Sequence, residues 1–257
     1  MNPYLQHLNR IEFLITFACT GRCKHCSQGE HTSAGAHING DIAAHMIRKV
    51  ANHCTINSLM TFGGEPLLYH GDVCKIHAAA RDAGISKRQL ITNGFFSRDE
   101  TKIQQVAKAL AESGVNDLMV SVDAFHQETI AIEPVITFAK AALSLGMFEK
   151  IRVHPAWLVS EEADNPYNDK TRALLAEFNA IGISSSDGNV IFPRGNALTH
   201  LSEYLDLDTL QVSPYDENPY DIKSICVLPS GEVLGGNIYD TDIFEILAHY
   251  VPEKGLA

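Results

Sequence analysis

"IEFLITFA" (residues 11–18) runs directly into "ACTGRCKHCSQGEH" (18–31). The first stretch is apolar almost without interruption, as expected for a strand buried on both faces. The second places Cys19, Cys23 and Cys26 within eight positions, in a chain of 257 residues with six cysteines. The cysteine set therefore sits on the loop that leaves the strand's C-terminal end. Thiolates are soft ligands that select zinc or iron–sulfur clusters. A structural zinc wants four ligands and would take His25 or His31 as the fourth. Three thiolates on a four-iron cubane leave one iron without a protein ligand, open to substrate or cofactor chemistry.

Five further apolar runs follow: "SLMTFGG" (58–64), "QLITNG" (89–94), "DLMVSVDA" (117–124), "IRVHPAWLV" (151–159) and "NVIFPRG" (189–195). The runs start roughly 30 to 45 residues apart, the size of a βα unit. The intervals read as helices. "SRDETKIQQVAKALAESG" (97–114) opens with Ser97 and has Glu100 three positions on, a capping box; Ile103, Val106 and Leu110 form its apolar stripe and Gly114 stops it. "NGDIAAHMIRKVANHC" (39–54) and "NDKTRALLAEFNAIG" (168–182) read similarly. Strand–helix alternation with right-handed crossovers implies a parallel sheet with helices outside. Six units are too few for an eight-fold barrel. The expected fold is α/β, an open, partial (β/α)6 TIM barrel, with reactive groups at the C-terminal ends of the strands. Residues 1–200 form the expected core. Residues 201–257 read as an extension packed on it, not an independent domain. Within them the acidic 203–221 stretch reads as a solvated loop, and "ICVLPSGEVLGG" (225–236) as a short β-hairpin around a Pro-Ser-Gly turn.

Composition narrows the function. The formal net charge is −11 with no basic run, which argues against a nucleic-acid groove and weakens a membrane-surface role. No stretch is long enough to span a bilayer. The N-terminus lacks a basic region followed by an apolar one, so a cytoplasmic location is expected. There, clustered thiols are more often metal-binding or catalytic than disulfide-bonded. Cys54 and Cys74, read as lying in helical stretches, are expected to be small buried apolar groups.

The chain resembles the radical S-adenosylmethionine (radical SAM) enzymes. Their hallmark is C-x3-C-x2-C at the end of the first strand of a partial (β/α)6 barrel. Here it is joined in order by "GGEP" (63–66), "ITNG" (91–94) and "SVDA" (121–124), each at a strand end. The resemblance covers roughly residues 11 to 195, about three quarters of the chain. It implies one 4Fe–4S cluster held by Cys19, Cys23 and Cys26, with S-adenosylmethionine chelated at the free iron. It further implies reductive cleavage of that cofactor to a 5′-deoxyadenosyl radical, which abstracts a hydrogen atom from substrate. Carried over by position, Gly63 and Gly64 let backbone approach the methionyl amino group and Glu65 accepts its hydrogen bonds. Asn93 meets the methionyl carboxylate or ribose, Ser121 and Asp123 lie near the ribose hydroxyls, and His25 stands near adenine. No Gly-rich motif occupies the fifth run, where "RVHPAWLV" stands, and no second cysteine group supports a second cluster.

The substrate side is less determined. His126, just past the fourth run, is the leading substrate-side candidate; His154 and Arg194 end the fifth and sixth runs, with structural hydrogen bonding as the competing role. Cys226 opens the expected hairpin, as a hydrogen-atom donor or as a buried apolar residue. "CVLPSGEVLGGN" (226–237) resembles the opening of the SPASM or Twitch extensions of peptide-modifying members, without their further cysteines; Asn237 stands near where one would fall. The favoured substrate is a peptide, with epimerisation as one outcome. The alternatives are a small molecule, as in deazapurine ring contraction, activation of a glycyl-radical enzyme, or a non-catalytic iron–sulfur protein. An electron donor of flavodoxin or ferredoxin type is implied.

Overall fold

A computed structural model describes residues 2–32, 34–205 and 217–252. The elements in chain order are β1 (Arg10–Leu14), α1 (Gly40–Ala51), β2 (Ser58–Phe62), α2 (His70–Asp82), β3 (Lys87–Thr92), α3 (Glu100–Ser113), β4 (Asp117–Val120), α4 (Ile132–Leu145), β5 (Lys150–Val153), β6 (Ala156–Trp157), α5 (Pro166–Ala180), β7 (Ser184–Ser185), β8 (Asn189–Val190), α6 (Asn196–His200), β9 (Ser224–Val227), β10 (Glu232–Val233), β11 (Gly236–Asn237) and α7 (Ile243–His249). Seven strands form one sheet in the order β7-β5-β4-β3-β2-β1-β9, and every pairing in it is parallel. This is the partial TIM-barrel architecture expected from the strand–helix alternation.

Side-chain alternation along each strand gives the sheet two unlike faces. Ile11, Phe13, Leu59, Leu90, Leu118, Val120 and Val153 are completely buried in the core beneath the helices. Burial of each such side chain stabilises the fold by about 1.5–3 kcal/mol. The opposite, lumen face carries Arg10, Glu12, Ser58, Met60, Gln89, Asp117, Met119 and Arg152, joined side chain to side chain. Register pairs such as Gln89↔Asp117 and Met119↔Arg152 place these contacts across neighbouring strands.

Several expectations shift. The fifth run breaks at His154-Pro155: proline has no N–H for the ladder, so β5 ends at Val153 and β6 starts afresh. The sixth strand of the main sheet is β7, Ser184–Ser185, and not 189–195; part of that run forms β8, which pairs with β6 outside the main sheet. Asp99 caps α3, accepting from the Thr101 and Lys102 amides, while Ser97 only accepts from the Asp99 amide. No Ser97–Glu100 capping box forms. Gly114 ends that helix as read from the sequence. Cys74 lies in α2, but Cys54 lies three residues beyond the end of α1.

The C-terminal segment departs furthest. "SICV" is β9, added at the edge of the main sheet parallel to β1 with Glu12 opposite Cys226; the Pro-Ser-Gly turn follows it, Gly231 N–H donating to Leu228 O. Parallel pairing is favoured because it buries Ile225 and Val227 in the main core. The antiparallel pair forms one step later, between β10 and β11. Its two-residue loop, Leu234-Gly235, has φ of 47° and 77°, the doubly left-handed pattern of a type I′ hairpin turn. The segment is latched to α1: Tyr239 Oη accepts from the Asn39 amide, and Lys49 pairs with Asp242. Of the acidic 203–221 stretch, residues 206–216 lie outside the described residues. Among the described residues, no helix is long and apolar enough to cross a membrane.

Candidate active site

The loop carrying Cys19, Cys23 and Cys26 lies over the C-terminal ends of the strands and is gripped from five sides. Just past β1, Thr16 Oγ1 accepts from the Ala18 amide. From the end of β2, the Gly64 amide donates to Thr16 O (2.7 Å) and the Glu65 amide to Ala18 O (2.8 Å). From the end of β3, Asn93 Nδ2 donates to Thr20 Oγ1 (3.1 Å) and reaches Cys19 Sγ (3.5 Å). After β4, Thr129 Oγ1 accepts from the Arg22 amide. From the start of α6, the Asn196 amide donates to Cys26 O (2.9 Å) and Asn196 Nδ2 to Cys23 O (3.2 Å).

Two glycine positions make this grip possible. A Cβ on Gly64 would stand 2.1 Å from Ala18 O, and one on Gly63, where φ is 144°, 2.7 Å from Thr16 O. The glycines thus let the strap lie against the backbone of the cysteine loop itself. At the other side Gly195 has φ of 55°, and its Cβ would meet Cys26 O at 2.5 Å. Gly195 and Asn196 were not singled out from the sequence, where "RGN" follows a strand-like run without any motif signal. Arg22 was missed as well; its Nη1 donates to Cys19 O and Gly21 O, tying the loop to itself.

Glu65 is completely buried. Its Oε1 accepts from the Leu67 amide (2.8 Å) and Thr92 Oγ1 (2.7 Å), its Oε2 from the Asn93 amide (2.8 Å). Burial pushes its carboxyl up to about 7 against those three donors. Asp123 is also completely buried, and each oxygen accepts twice: Oδ1 from the Phe125 and His126 amides, Oδ2 from His126 Nδ1 (2.8 Å) and the Ala156 amide. Its lone pairs face its own chain, so Asp123 orients His126. Burial opposes both charges, yet their mutual attraction and hydrogen bond prevail. Asp123 is held below the usual carboxylate range and His126 above the usual imidazole value. His25 packs edge-on to His126 (centroids 4.8 Å) and against Phe125 (5.1 Å), and its Nδ1 is buried without a partner. Burial lowers its pKa to about 4, so it stands neutral. Ser121 stands partly exposed just beyond β4, its amide bonded to Thr92 O. His154 Nδ1 pairs with Ser186 Oγ (2.8 Å).

The three loop thiols are free of disulfides. Burial raises all three, Cys19 to about 11, and Cys19 and Cys23 are raised further by the neighbouring thiols. Thiolates crowded in this way are stable only around added positive charge, which a metal centre supplies. A single zinc ion would use a different set: Cys23, His25 and His126 offer ligand atoms all within 4.8 Å of one another. His31 meets Cys26 Sγ through Nε2 (2.9 Å), its Nδ1 at Phe17 O. Among the described residues, the three cysteines are not the set whose ligand atoms all fall within 4.8 Å of one another.

Cys226 alternates with Ile225 and Val227, so it lies on the lumen face beside Glu12. It lines a cavity of about 540 Å³ together with Leu228, Glu232, Leu234 and Asn237. Burial and the Glu12 charge push its thiol up to about 12.

A family description, "Radical SAM superfamily", matches residues 13–154. A GTP 3′,8-cyclase of Geobacter sulfurreducens is 28% identical over 133 residues, covering 50% of this chain and 38% of that protein. A probable GTP 3′,8-cyclase of Saccharolobus islandicus is 28% identical over 148 residues, covering 54% and 45%. The chain therefore spans less than half the length of these relatives. Among solved structures, Streptococcus suis SuiB bound to S-adenosylmethionine matches with a TM-score of 0.61 at 15% identity, over 95% of this chain and 66% of that one. anSMEcpe with bound AdoMet matches at 0.58 and 15%, over 93% and 80%. At such identities the structural likeness is one of fold. The family match spans more than half of the sequence and includes the gripped cysteine loop: the chain belongs to the radical SAM superfamily, enzymes that use a 4Fe–4S cluster and S-adenosylmethionine.

Proposed function

We propose that Cys19, Cys23 and Cys26 hold the 4Fe–4S cluster and that S-adenosylmethionine lies between it and the strand ends. The observation that carries this is the five-sided grip: backbone and side chains from β1, β2, β3, the β4 loop and α6 converge on one cysteine loop. When bound, the cluster and cofactor supply a 5′-deoxyadenosyl radical for hydrogen-atom abstraction. The chain's own share is placement and exclusion of water. Gly63 and Gly64 hold the strap against the loop, Glu65 and Asn93 fix its underside, and Ser121 borders the cofactor space. Asp123 orients His126, which with His25 walls the adenine side. Anaerobic reconstitution tests the reading: iron uptake of about four atoms per chain, and 5′-deoxyadenosine from wild type with dithionite or a flavodoxin-type donor but none from Cys23→Ala. Uptake of a single zinc with no reducible cluster would end it.

The proposed substrate is a peptide. The lumen supports this by its charge balance: Arg10 is paired with Glu12, and Arg152 with Asp117 (2.8 Å). A nucleoside triphosphate needs uncompensated cations; a peptide does not. Peptide-bound structures of SuiB and anSMEcpe share the fold, with TM-scores of 0.57 and 0.56. The GTP 3′,8-cyclases are the source of a second reading, tested by incubating the reconstituted enzyme with GTP. Cys226 is the proposed hydrogen-atom donor: its S–H bond breaks homolytically, the atom passes to the substrate radical, and the thiyl radical left is restored to the thiol by one electron from the electron donor and a proton from solvent. The outcome would be an epimerised residue. The C-terminal extension is proposed as packed on the core and not an independent domain, since among its described residues β9 belongs to the main sheet. A cytoplasmic location completes the reading.

A further inference from the structure

The lumen holds a second polar constellation that the cofactor site does not use. Arg10 Nε meets Glu12 Oε1 (2.5 Å), Arg10 Nη1 meets Gln89 Oε1 (2.9 Å), Gln89 Nε2 meets Asp117 Oδ2 (2.9 Å), and Arg152 Nη2 meets the same Oδ2 (2.8 Å). The chain runs across β1, β3, β4 and β5. Two of its atoms are left over. Asp117 Oδ1 and Arg152 Nε are buried and have no partner. Asp117 is only 6% exposed, and a buried carboxylate oxygen without a donor carries an uncompensated desolvation cost. Such a cost is offset when a ligand supplies the donor.

The two atoms belong to one ion pair. Each is one bond angle from the atoms that join the pair, Oδ2 and Nη2. One is an acceptor and the other a donor. The complementary group is an amide edge whose N–H and C=O lie on the same side, as in a primary carboxamide. A carboxylate has no hydrogen for Asp117 Oδ1, and a cation has no acceptor for Arg152 Nε–H. The Arg10, Glu12 and Arg152 side chains around the pair are 24%, 21% and 19% exposed. With two arginines matched by two carboxylates, the constellation carries no net charge to attract an ion.

We infer that Asp117 and Arg152 form a carboxamide subsite in the lumen, binding an asparagine or glutamine side chain of the substrate peptide. The amide N–H donates to Asp117 Oδ1, and the amide oxygen accepts from Arg152 Nε–H. This rests on the peptide reading of the same lumen. A purine lactam presents the same edge, so the test includes it.

The probes are N-acetylglutamine N-methylamide, its glutamate counterpart and guanosine, titrated into the reconstituted holoenzyme. Binding is followed by calorimetry and by the ¹⁵N–¹H signal of Arg152 Nε. The glutamine probe is expected to bind saturably, shift that signal, and bind at least tenfold more tightly than the glutamate probe. Arg152→Lys keeps the charge pair but removes Nε–H; it is expected to weaken the glutamine probe at least tenfold. Asp117→Asn should do the same, and if it fails to take up iron, Arg152→Lys alone decides. Iron content and 5′-deoxyadenosine formation, measured on the same preparations, report on the cofactor reading separately. Equal affinity for the two peptide probes, or indifference to Arg152→Lys with iron uptake intact, overturns the subsite. Tighter binding of guanosine than of the glutamine probe overturns its assignment to a peptide.

Discussion

Replacing Gly64 by alanine separates two roles for the "GGE" strap. The new Cβ would stand 2.1 Å from Ala18 O and 2.7 Å from Ala18 C, and both neighbours are backbone, so neither yields by a rotamer change. Either the strap or the cysteine loop must move by more than 1 Å to reach ordinary contact, roughly 3.5 Å for carbon pairs. That movement breaks the Gly64 N–Thr16 O and Glu65 N–Ala18 O hydrogen bonds, each worth about 1 kcal/mol net. Overpacking adds about 1–3 kcal/mol. The expected destabilisation is about 3–5 kcal/mol, which for a chain of this size lowers Tm by roughly 6–20 °C. Because the displaced element carries Cys19, iron uptake should fall along with stability. The assay is reconstitution followed by iron content and thermal unfolding of the same sample. If the glycines served only the approach of S-adenosylmethionine, Gly64→Ala would keep full iron content and wild-type Tm and lose only cofactor affinity. That result would refute the packing argument.

Glu65→Gln should destabilise by about 1–3 kcal/mol in urea unfolding, because the amide nitrogen must face one of three hydrogen-bond donors; an unchanged midpoint would count against the buried donor set. For the Asp123–His126 pair, the sign follows from the shifts. The raised imidazole gives stability fully present below about 6.5 and lost as pH rises through its folded value, and the depressed carboxyl gives stability present above about 3.9 and lost as pH falls. The stability difference between wild type and His126→Gln should therefore peak near pH 5, and a flat pH profile would contradict the pairing. Cys226→Ala should retain the cluster and 5′-deoxyadenosine formation yet fail to complete product with the native peptide; full product yield would remove the thiol from the mechanism. Cys74→Ala, within α2, should leave iron content unchanged, and loss of iron would place that thiol at the centre.

The sequence by itself determined the repeating βα unit, the parallel sheet and the position of the cysteine loop. These depend on local signals: apolar runs of strand length, helix stripes, and short motifs that fall at strand ends. It also placed Asp123 and His126 at the end of the fourth run, as a ribose contact and a substrate-side group, while their pairing came from the folded turn. What the sequence did not reveal depended on pairing between distant segments. A two-residue β7 carries no hydrophobic pattern, so the more apolar 189–195 run was the stronger signal. "SICV" reads the same whether it turns back on itself or adds to β1, and only the burial of Ile225 and Val227 in the shared core chooses β9. Gly195 and Asn196 reach Cys23 and Cys26 across about 170 residues, beyond any local periodicity. The charged lumen had a visible trace in Arg10 and Glu12, which alternate with Ile11 and Phe13. Yet whether alternate residues face solvent or a shared interior is set by the curvature of the whole sheet, and curvature is a property of strands packed together, not of any one of them.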